Sequence, residues 1–348
     1  MESTVSKLQE QPAFRLTEDW IIWLEHNLGH MVPADAIAAA MIEKGCAPEL
    51  ARGLTEAFTL RRGPGSSAAM TPRLAKTKWL LDTLRQLQRL SLPRPVAERR
   101  IIDRDEFYGQ FYARNFPVVY RDSLVPRELS ELLSWERLER EFGTMEVEVQ
   151  EGRSRTTDFE RRSGSLKSKC NLAEFLRRAR EAIDSNDFYM TANNSTSNAG
   201  LIETALDPGG VCPELLDRAS AKGRVFLWIG PRGTFTPAHH DLTNNLFLQI
   251  KGAKEFRLVS SFALLEVDND QHCYLSSSLT DIDARRAEEG RPTLSFTVTL
   301  EEGDMLFIPL GWWHEVRGLS ASISLSATNF QESNEFFKSY EFYGRLDT

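Results

Sequence analysis

Hydrophobic residues repeat with a helical period over the first ninety positions of the chain. Stripes spaced three and four residues apart run over 19–28, 33–44, 48–58 and 74–90, and they predict four helices. A stretch with glycine, proline and serine at 61–71 predicts a flexible connection, and the sequence LPRP at 92–95 predicts a boundary. We therefore expect a helical N-terminal domain over residues 1–92 and a second domain over 93–348.

The second domain changes from a mixed pattern to one with a period of two. Helical stripes lie at 105–112, 129–142 and 172–182, and short alternating segments lie at 145–150 and 188–191. After residue 223, segments rich in β-branched and aromatic residues follow one another, and each is bounded by turn residues. They are 224–229, 245–251, 255–259, 294–300, 305–309 and 322–330. Several short, closely spaced strands favour a sandwich or jelly-roll barrel, so we expect a mainly β fold with helices (α+β).

Composition narrows the class of partner. The chain of 348 residues has 42 Lys and Arg against 50 Asp and Glu, a formal net charge of −8. This balance argues against a general nucleic-acid or anionic-membrane partner, because both require a basic surface. The four cysteines show no CxxC spacing, which argues against a zinc site or a redox pair. No apolar run approaches the roughly 20 residues that cross a bilayer, so we expect a cytoplasmic protein.

The segment TPAHHD at 236–241 carries the candidate chemistry. On a strand, residues i and i+2 share a face, so His239 and Asp241 can present an imidazole and a carboxylate to one point while His240 faces away. The candidate for a third ligand is His314, which follows a turn–strand–turn pattern starting at Gly303. Two histidines and one carboxylate form the facial set that holds non-haem iron(II) with positions left open.

These motifs resemble those of the Jumonji C oxygenases, especially the hydroxylase branch that includes factor inhibiting hypoxia-inducible factor and bacterial cupin-like proteins. The resemblance rests on TPAHHDLTNNLFLQIKGAK at 236–254, GDMLFIPLGWWH at 303–314 and Asn329. It implies a double-stranded β-helix (jelly-roll or cupin) core over about 223–330. It also implies iron(II) bound by His239, Asp241 and His314, with 2-oxoglutarate and O₂ as cosubstrates.

The resemblance also implies a set of residues around 2-oxoglutarate. Lys254 corresponds to the lysine that pairs with the distal carboxylate, and a dicarboxylate does need a cation at the far end of its pocket. The other residues that correspond to cosubstrate-pocket positions are Thr236, Tyr189, Asn245 and Asn329. Asn245 and Asn329 can equally fix strand ends by side-chain hydrogen bonds. Gln331 departs from the family pattern, because the hydroxylase branch has a bulky aromatic residue there, so the substrate is not carried over.

The resemblance implies an oxygenase that hydroxylates a side chain of a protein or peptide. Three alternatives stay open: an N-methyl demethylase of the same family, a small-molecule hydroxylase, and a non-catalytic cupin that binds a metal. The C-terminal segment 334–343 predicts an amphipathic helix with Phe336, Phe337 and Tyr340. This helix fits either a homodimer contact or packing against the barrel.

Overall fold

A computed structural model describes most of the chain. The described residues are 16–17, 20–21, 23–24, 27, 32–60, 67–91, 96–121, 125–205, 210–264, 266–267, 269 and 273–339. The predicted helix at 19–28 lies partly outside these residues, as does the predicted connection at 61–71. The predicted boundary at 92–95 and the last residues of the predicted C-terminal helix, 340–343, lie wholly outside them. No helix in the described part is both long enough and apolar enough to cross a membrane.

The chain divides into two compact units, Met1–Thr83 and Leu84–Thr348. The first unit contains helices α1 (Ala34–Glu43) and α2 (Pro48–Leu60), and helix α3 (Ser67–Ser91) continues across the division. Leu24, Ile37 and Met41 are buried at the centre of a small apolar cluster. The helices predicted at 33–44 and 48–58 are confirmed, because α1 and α2 begin and end within two residues of these limits.

Two antiparallel sheets form the core of the second unit. The larger sheet has the order β1-β2-β11-β8-β13-β6 and the smaller sheet has the order β10-β9-β12-β7. The strands are β1 (Ala97–Arg99), β2 (Val118–Tyr120), β6 (Val225–Gly230), β7 (Phe235–His240), β8 (Asn245–Lys251), β9 (Lys254–Val259), β10 (Phe296–Leu300), β11 (Met305–Ile308), β12 (Trp313–Gly318) and β13 (Ser322–Ala327). Within the larger sheet, only the β1–β2 pair is parallel. From β6 to β9 and again from β10 to β13, consecutive strands alternate between the two sheets, as in the expected jelly-roll core.

Smaller elements precede and interrupt the barrel. A third sheet has the order β4-β3-β5 and is formed by β3 (Glu146–Glu151), β4 (Lys167–Asn171) and β5 (Phe188–Tyr189). Helices α4 (Arg104–Glu106), α5 (Arg127–Leu132), α6 (Trp135–Phe142), α7 (Leu172–Glu181), α8 (Ala199–Ala205) and α9 (Leu279–Glu288) accompany these sheets. Helix α9 lies between β9 and β10 in sequence and was not predicted.

Three expectations about helices differ from the structure. The stripe at 129–142 is two helices, because Ser134 begins α6 as its N-cap, and its hydroxyl accepts a hydrogen bond from the Arg137 amide at 3.4 Å. The stripe at 105–112 continues α4 as a π-helix, Phe107–Tyr112. Of the predicted C-terminal helix, the described residues show a 3₁₀ turn at Phe336–Ser339.

Candidate metal centre and cosubstrate cavity

Strand pairing brings the two candidate histidine ligands together. In the smaller sheet β7 and β12 are antiparallel neighbours, and His239 lies directly opposite His314 in their register. Their ring centroids are 4.1 Å apart. Side chains of directly opposed residues point to the same face of a sheet, so the two imidazoles meet although they are 75 positions apart in the sequence.

The carboxylate of Asp241 completes the cluster. Asp241 follows the last residue of β7, and its Oδ1 lies 4.0 Å from His239 Nε2 while its Oδ2 lies 3.8 Å from His314 Nε2. One ligand atom from each of the three residues lies within 4.8 Å of the others. Ligand bonds of about 2.0–2.2 Å at right angles place ligand atoms about 3 Å apart, so side-chain shifts of about 1 Å would close these separations around one ion. The three residues therefore fit a metal ion with a facial set of ligands.

Hydrogen bonds to the backbone orient both histidine rings. The Nδ1 atom of His239 lies 2.8 Å from the Pro237 carbonyl oxygen, and Nδ1 of His314 lies 3.0 Å from the Trp312 carbonyl oxygen. Each carbonyl can only accept, so each Nδ1 carries the proton and leaves the Nε2 lone pair free for a metal. The Asn245 amide donates a hydrogen bond to Asp241 Oδ2 at 3.2 Å. The ligand atoms are thus held in place by the protein itself.

The local electrostatics favour the protonation states that a metal requires. Burial, and then the electrostatic effect of the adjacent His239, lower the pKa of His314 to about 4. Burial raises the pKa of Asp241, but the charges of His314 and His239 outweigh it and hold that pKa below its usual value. Metal ligands must be neutral imidazole and ionised carboxylate. Near neutral pH the site already presents His314 and Asp241 in these forms.

A cavity of about 380 Å³ opens from the triad into the space between the two sheets. Lys254, the first residue of β9, lines it and is 1% exposed. Its ammonium donates a hydrogen bond to the Tyr189 hydroxyl at 2.9 Å. Burial lowers the pKa of Lys254 to about 7. Within the part of the chain that the structure describes, no carboxylate forms an ion pair with this lysine.

An unpaired ammonium in an apolar cavity is costly unless an anion accompanies it. The triad at one side of the cavity and Lys254 in its wall are therefore matched to a metal-chelating acid with a second carboxylate. 2-Oxoglutarate has this chemistry. A further buried polar atom is available there, because Asn245 Oδ1 has no hydrogen-bond partner among the described residues. The residues present thus fit iron(II) and 2-oxoglutarate.

The structure brings most of the predicted site residues to this one cavity. Thr236, Tyr189 and Asn245 line it together with the triad and Lys254. Asn329 is fully buried and donates a hydrogen bond to the Asp217 carbonyl at 2.9 Å, and it is not among the residues that line the cavity. His240 faces away from the triad, as the alternation predicts, and its ring packs edge-on against Trp313.

Sequence reasoning missed several residues in the cavity wall. Glu160 and Asn193 come from irregular segments, and Tyr274 stacks beside His239 at a centroid distance of 6.0 Å. No periodic pattern marks these three. Phe226 and Trp228, in contrast, are alternate residues of β6, and their period of two could have identified an inward face.

Comparison with known proteins agrees with the fold. The model of the cupin-like domain family matches residues 104–336, which is the larger part of the chain. Among curated proteins, lysine-specific demethylase JMJ30 of Arabidopsis thaliana is 40% identical over 112 residues, 31% of this chain and 25% of that protein. Lysine-specific demethylase 8 of Xenopus tropicalis is 34% identical over 104 residues, 28% of this chain and 23% of that protein.

A third relative is Jumonji C domain-containing protein 5 of Drosophila melanogaster, 33% identical over 106 residues, 28% of this chain and 26% of that protein. Each match thus spans about a quarter of the relative's length. The extent of the cupin-like match and the jelly-roll sheets around a His-Asp-His cluster lead to one conclusion. The chain belongs to the cupin-like, Jumonji C family of iron(II)- and 2-oxoglutarate-dependent oxygenases.

Proposed function

We propose that the chain oxidises a C–H bond in a basic side chain of a protein substrate, and that its reaction is removal of a methyl group from N-methyl-lysine. One observation carries the oxygenase part: the triad and the unpaired Lys254 share one cavity. When bound, iron(II) with 2-oxoglutarate supplies oxidation of a C–H bond by O₂, coupled to decarboxylation of the cosubstrate. The sequence alone favoured side-chain hydroxylation.

The protein's own residues bind and orient the reactants. His239, Asp241 and His314 would hold the metal, and their cluster lies in the lining of the cavity where the cosubstrate would bind. Lys254 and the Tyr189 hydroxyl bind the distal carboxylate of 2-oxoglutarate, which fixes its other end toward the triad. The apolar walls exclude water, which strengthens these charge interactions.

The cavity wall suits a cationic substrate side chain. Glu160 is 8% exposed and places in the lining a carboxylate whose Oε1 pairs with Arg153 at 2.8 Å and whose Oε2 accepts from the Asn193 amide at 3.5 Å. Tyr274 and Trp228 add aromatic rings to the same lining. A methylated ammonium is attracted both to a carboxylate and to aromatic faces. These residues support a lysine-like substrate rather than an acidic or an aliphatic one.

The names of the relatives favour demethylation over hydroxylation. Two of the similar proteins named above are called lysine-specific demethylases. Both reactions begin with oxidation of a C–H bond, and they differ in the carbon presented to the metal. Oxidation of an N-methyl carbon gives an unstable N-hydroxymethyl group, which releases formaldehyde. We therefore place N-methyl-lysine first and treat a stable hydroxylated product as the competing outcome.

Turnover of 2-oxoglutarate tests the oxygenase assignment. Purified protein with iron(II), 2-oxoglutarate, ascorbate, O₂ and a library of N-methyl-lysine peptides should produce succinate. The variant His239→Ala should lose at least about a hundredfold of this activity, because a first ligand of the metal is removed. His240→Ala is the matched control, since this neighbouring imidazole faces away from the triad. Equal succinate formation by wild type and His239→Ala would exclude catalysis at the triad.

Mass spectrometry of the same peptides identifies the reaction. Demethylation removes one CH₂ unit from a peptide and releases one formaldehyde per succinate. A peptide that gains one oxygen and keeps its methyl groups would replace the demethylase assignment with hydroxylation. The variant Glu160→Gln should raise the KM for a lysine peptide more than it lowers kcat, because it removes a charge that binds substrate in ground and transition states alike.

A further inference from the structure

A fully buried arginine lies behind the wall of the cavity. Arg153 follows β3 and is 0% exposed, although it carries a guanidinium. Burial of such a charge is costly unless ion pairs and hydrogen bonds accompany it. Arg153 is not among the residues that line the cavity, so neither the proposed metal nor 2-oxoglutarate explains its presence. Its contacts indicate what it does.

Two contacts of Arg153 lead to the cosubstrate end of the cavity. Its guanidinium carbon lies 5.3 Å from the ring centroid of Tyr189, whose hydroxyl accepts the hydrogen bond from Lys254. Its Nη2 donates a hydrogen bond at 2.8 Å to the carbonyl of Phe235, the first residue of β7. Arg153 therefore packs against the 2-oxoglutarate anchor and against the strand that carries His239.

The other contacts lead to the substrate side. Arg153 Nη2 lies 2.8 Å from Glu160 Oε1. Glu160 and Tyr274 line the main cavity and also a neighbouring cavity of about 230 Å³, so they form the partition between the two. The position of the Glu160 carboxylate therefore shapes the partition between the two cavities, and the ion pair with Arg153 fixes that position.

A third route connects the same guanidinium to the cavity lining. Arg153 Nη1 donates to Gln150 Oε1 at 2.5 Å, and Gln150 Nε2 donates to the Thr191 hydroxyl at 3.0 Å. Thr191 caps the short turn that places Asn193 in the wall, because its hydroxyl accepts from the Asn193 amide at 3.3 Å. These hydrogen bonds and the ion pair thus lead back to the active site, whereas the Phe159 ring, 4.3 Å from the guanidinium carbon, only covers the charge from the other side.

We propose that Arg153 is a positioning residue that couples the 2-oxoglutarate anchor at Tyr189 to Glu160 in the substrate partition. This proposal rests on the proposed function, because it assumes that 2-oxoglutarate occupies the Lys254 end. It assigns no chemical step to Arg153. Loss of the guanidinium releases the Tyr189 ring from one side and leaves the Glu160 carboxylate without its counter-charge. Cosubstrate affinity then falls while metal affinity is retained.

Calorimetric titration tests this without a protein substrate. Mn(II) replaces iron(II) to avoid oxidation, and 2-oxoglutarate is titrated into the metal-loaded protein. Arg153→Met should raise the Kd for 2-oxoglutarate about tenfold, which is typical for loss of a residue that supports a ligand-binding group. The Kd for Mn(II) should stay within about twofold of wild type. Arg153→Lys keeps the charge but not the planar fork, and its Kd should lie between the two.

Arg286 provides a matched control. It is also a buried arginine, 6% exposed, and it donates a hydrogen bond to the Pro292 carbonyl at 2.9 Å and another to Glu266. It is not among the residues that line either cavity. Arg286→Met should lower the melting temperature and leave the Kd for 2-oxoglutarate unchanged. A purely structural role for Arg153 predicts equal behaviour of the two methionine variants.

The coupling itself is measured with Glu160→Gln. This variant should raise the Kd for 2-oxoglutarate about two- to threefold, and the double variant with Arg153→Met should match Arg153→Met alone, because coupled residues are not additive. An unchanged Kd in Glu160→Gln, or in folded Arg153→Met, would overturn the proposal. If Arg153→Met does not fold, an unchanged Kd in Arg153→Lys overturns it. Absence of 2-oxoglutarate binding by metal-loaded wild type would instead refute the proposed function, and the coupling with it.

Discussion

Lys254 illustrates the conflict between stability and function at a single residue. The unfolded chain holds this ammonium in water with an ordinary pKa of 10.5, whereas burial lowers that pKa to about 7 in the folded protein. The unfolded state therefore binds more protons between pH 7 and 10.5. The penalty on folding is fully present below pH 7 and fades as the pH rises toward 10.5. The Tyr189 hydroxyl and the Phe247 ring offset part of it, and a bound anion offsets more at neutral pH.

The variant Lys254→Met should therefore stabilise the protein in the absence of 2-oxoglutarate. We expect a gain on the order of 2 kcal/mol at pH 7, decreasing toward pH 10, since an apolar side chain of similar length replaces a desolvated charge. The same variant should bind 2-oxoglutarate at least about a hundredfold more weakly. Urea denaturation at pH 7 and pH 10, together with calorimetry, measures both effects. A variant less stable than wild type at pH 7 would show that the lysine is already compensated.

The affinity for 2-oxoglutarate should fall as the pH rises, because Lys254 loses its charge. Lys254 is charged below its pKa of about 7, so 2-oxoglutarate should bind with a constant Kd below that pH and about tenfold more weakly per unit above it. Binding above pH 7 should take up a proton, because the anion raises the pKa of its partner. Calorimetry of the Mn(II) protein between pH 6.5 and 9, in buffers of different ionisation enthalpy, detects that proton.

An arginine at position 254 distinguishes the titration of Lys254 from the titration of another group. Lys254→Arg stays charged at every pH in the range, so its Kd for 2-oxoglutarate should be flat between pH 6.5 and 9. An equally steep pH dependence in this variant would assign the titration to another group.

A site residue could be identified from the sequence where its spacing from other site residues fits a strand or a turn. The HxD spacing of His239 and Asp241 and the turn before His314 were sufficient to predict that these three side chains cluster, because all three lie on or beside strands. Glu160 and Arg153 could not be predicted, since their segment has no period and their roles come from partners such as Phe235, which is 82 positions away from Arg153. The role of a residue in an irregular segment depends on its tertiary contacts, and these contacts leave no pattern in a single sequence.

At the scale of elements, the barrel strands were predicted better than the helices around them. The strand at 245–251 was predicted with the observed limits, and β9 differs from its prediction by one residue. Strand β12 (Trp313–Gly318) was not predicted, because buried residues occupy both of its faces and remove the alternation. The pairing of β7 with β12, which brings the histidines together, required the three-dimensional structure.

Strand β6 contributes to the site through its last residue, Gly230. A Cβ atom placed there would lie 2.6 Å from Cδ2 of the Tyr189 ring and 2.7 Å from Cγ2 of Thr234. Gly230→Ala should therefore displace Tyr189 from Lys254 and raise the Kd for 2-oxoglutarate several-fold, with a loss of about 1–3 kcal/mol of stability from overpacking. Calorimetry and urea denaturation measure the two quantities.

Gly109→Ala is the control for this substitution, because a Cβ there meets nothing within 4 Å. It should leave the Kd for 2-oxoglutarate at the wild-type value. Wild-type affinity in Gly230→Ala would show that the Tyr189 ring can move aside without disturbing the anchor.

At the scale of the whole molecule, the observed limit between the two units lies earlier in the chain than the predicted one. The sequence predicts a boundary after residue 92, whereas the contacts of the chain divide it between Thr83 and Leu84. The last turns of α3 explain the difference. Gln88 is 9% exposed and its Oε1 accepts a hydrogen bond from the Ser260 hydroxyl at 2.5 Å, while Arg85 forms an ion pair with Glu266. These residues belong by contact to the unit that carries the barrel.

A fragment that begins at residue 93 should therefore be less stable than one that begins at residue 84. The shorter fragment leaves the Ser260 hydroxyl without its acceptor and removes one cation from Glu266. Loss of partners for partly buried polar groups costs about 1–3 kcal/mol, which corresponds to a fall in Tm of roughly 2–6 °C for a domain of this size. Thermal denaturation of both fragments measures this difference in Tm. In the longer fragment, Gln88→Ala should reproduce part of the fall in Tm. Gln86→Ala, at an exposed neighbouring position, should leave the Tm unchanged. Equal Tm values for the two fragments would restore the boundary after residue 92, because residues 84–92 would then contribute nothing to the barrel unit.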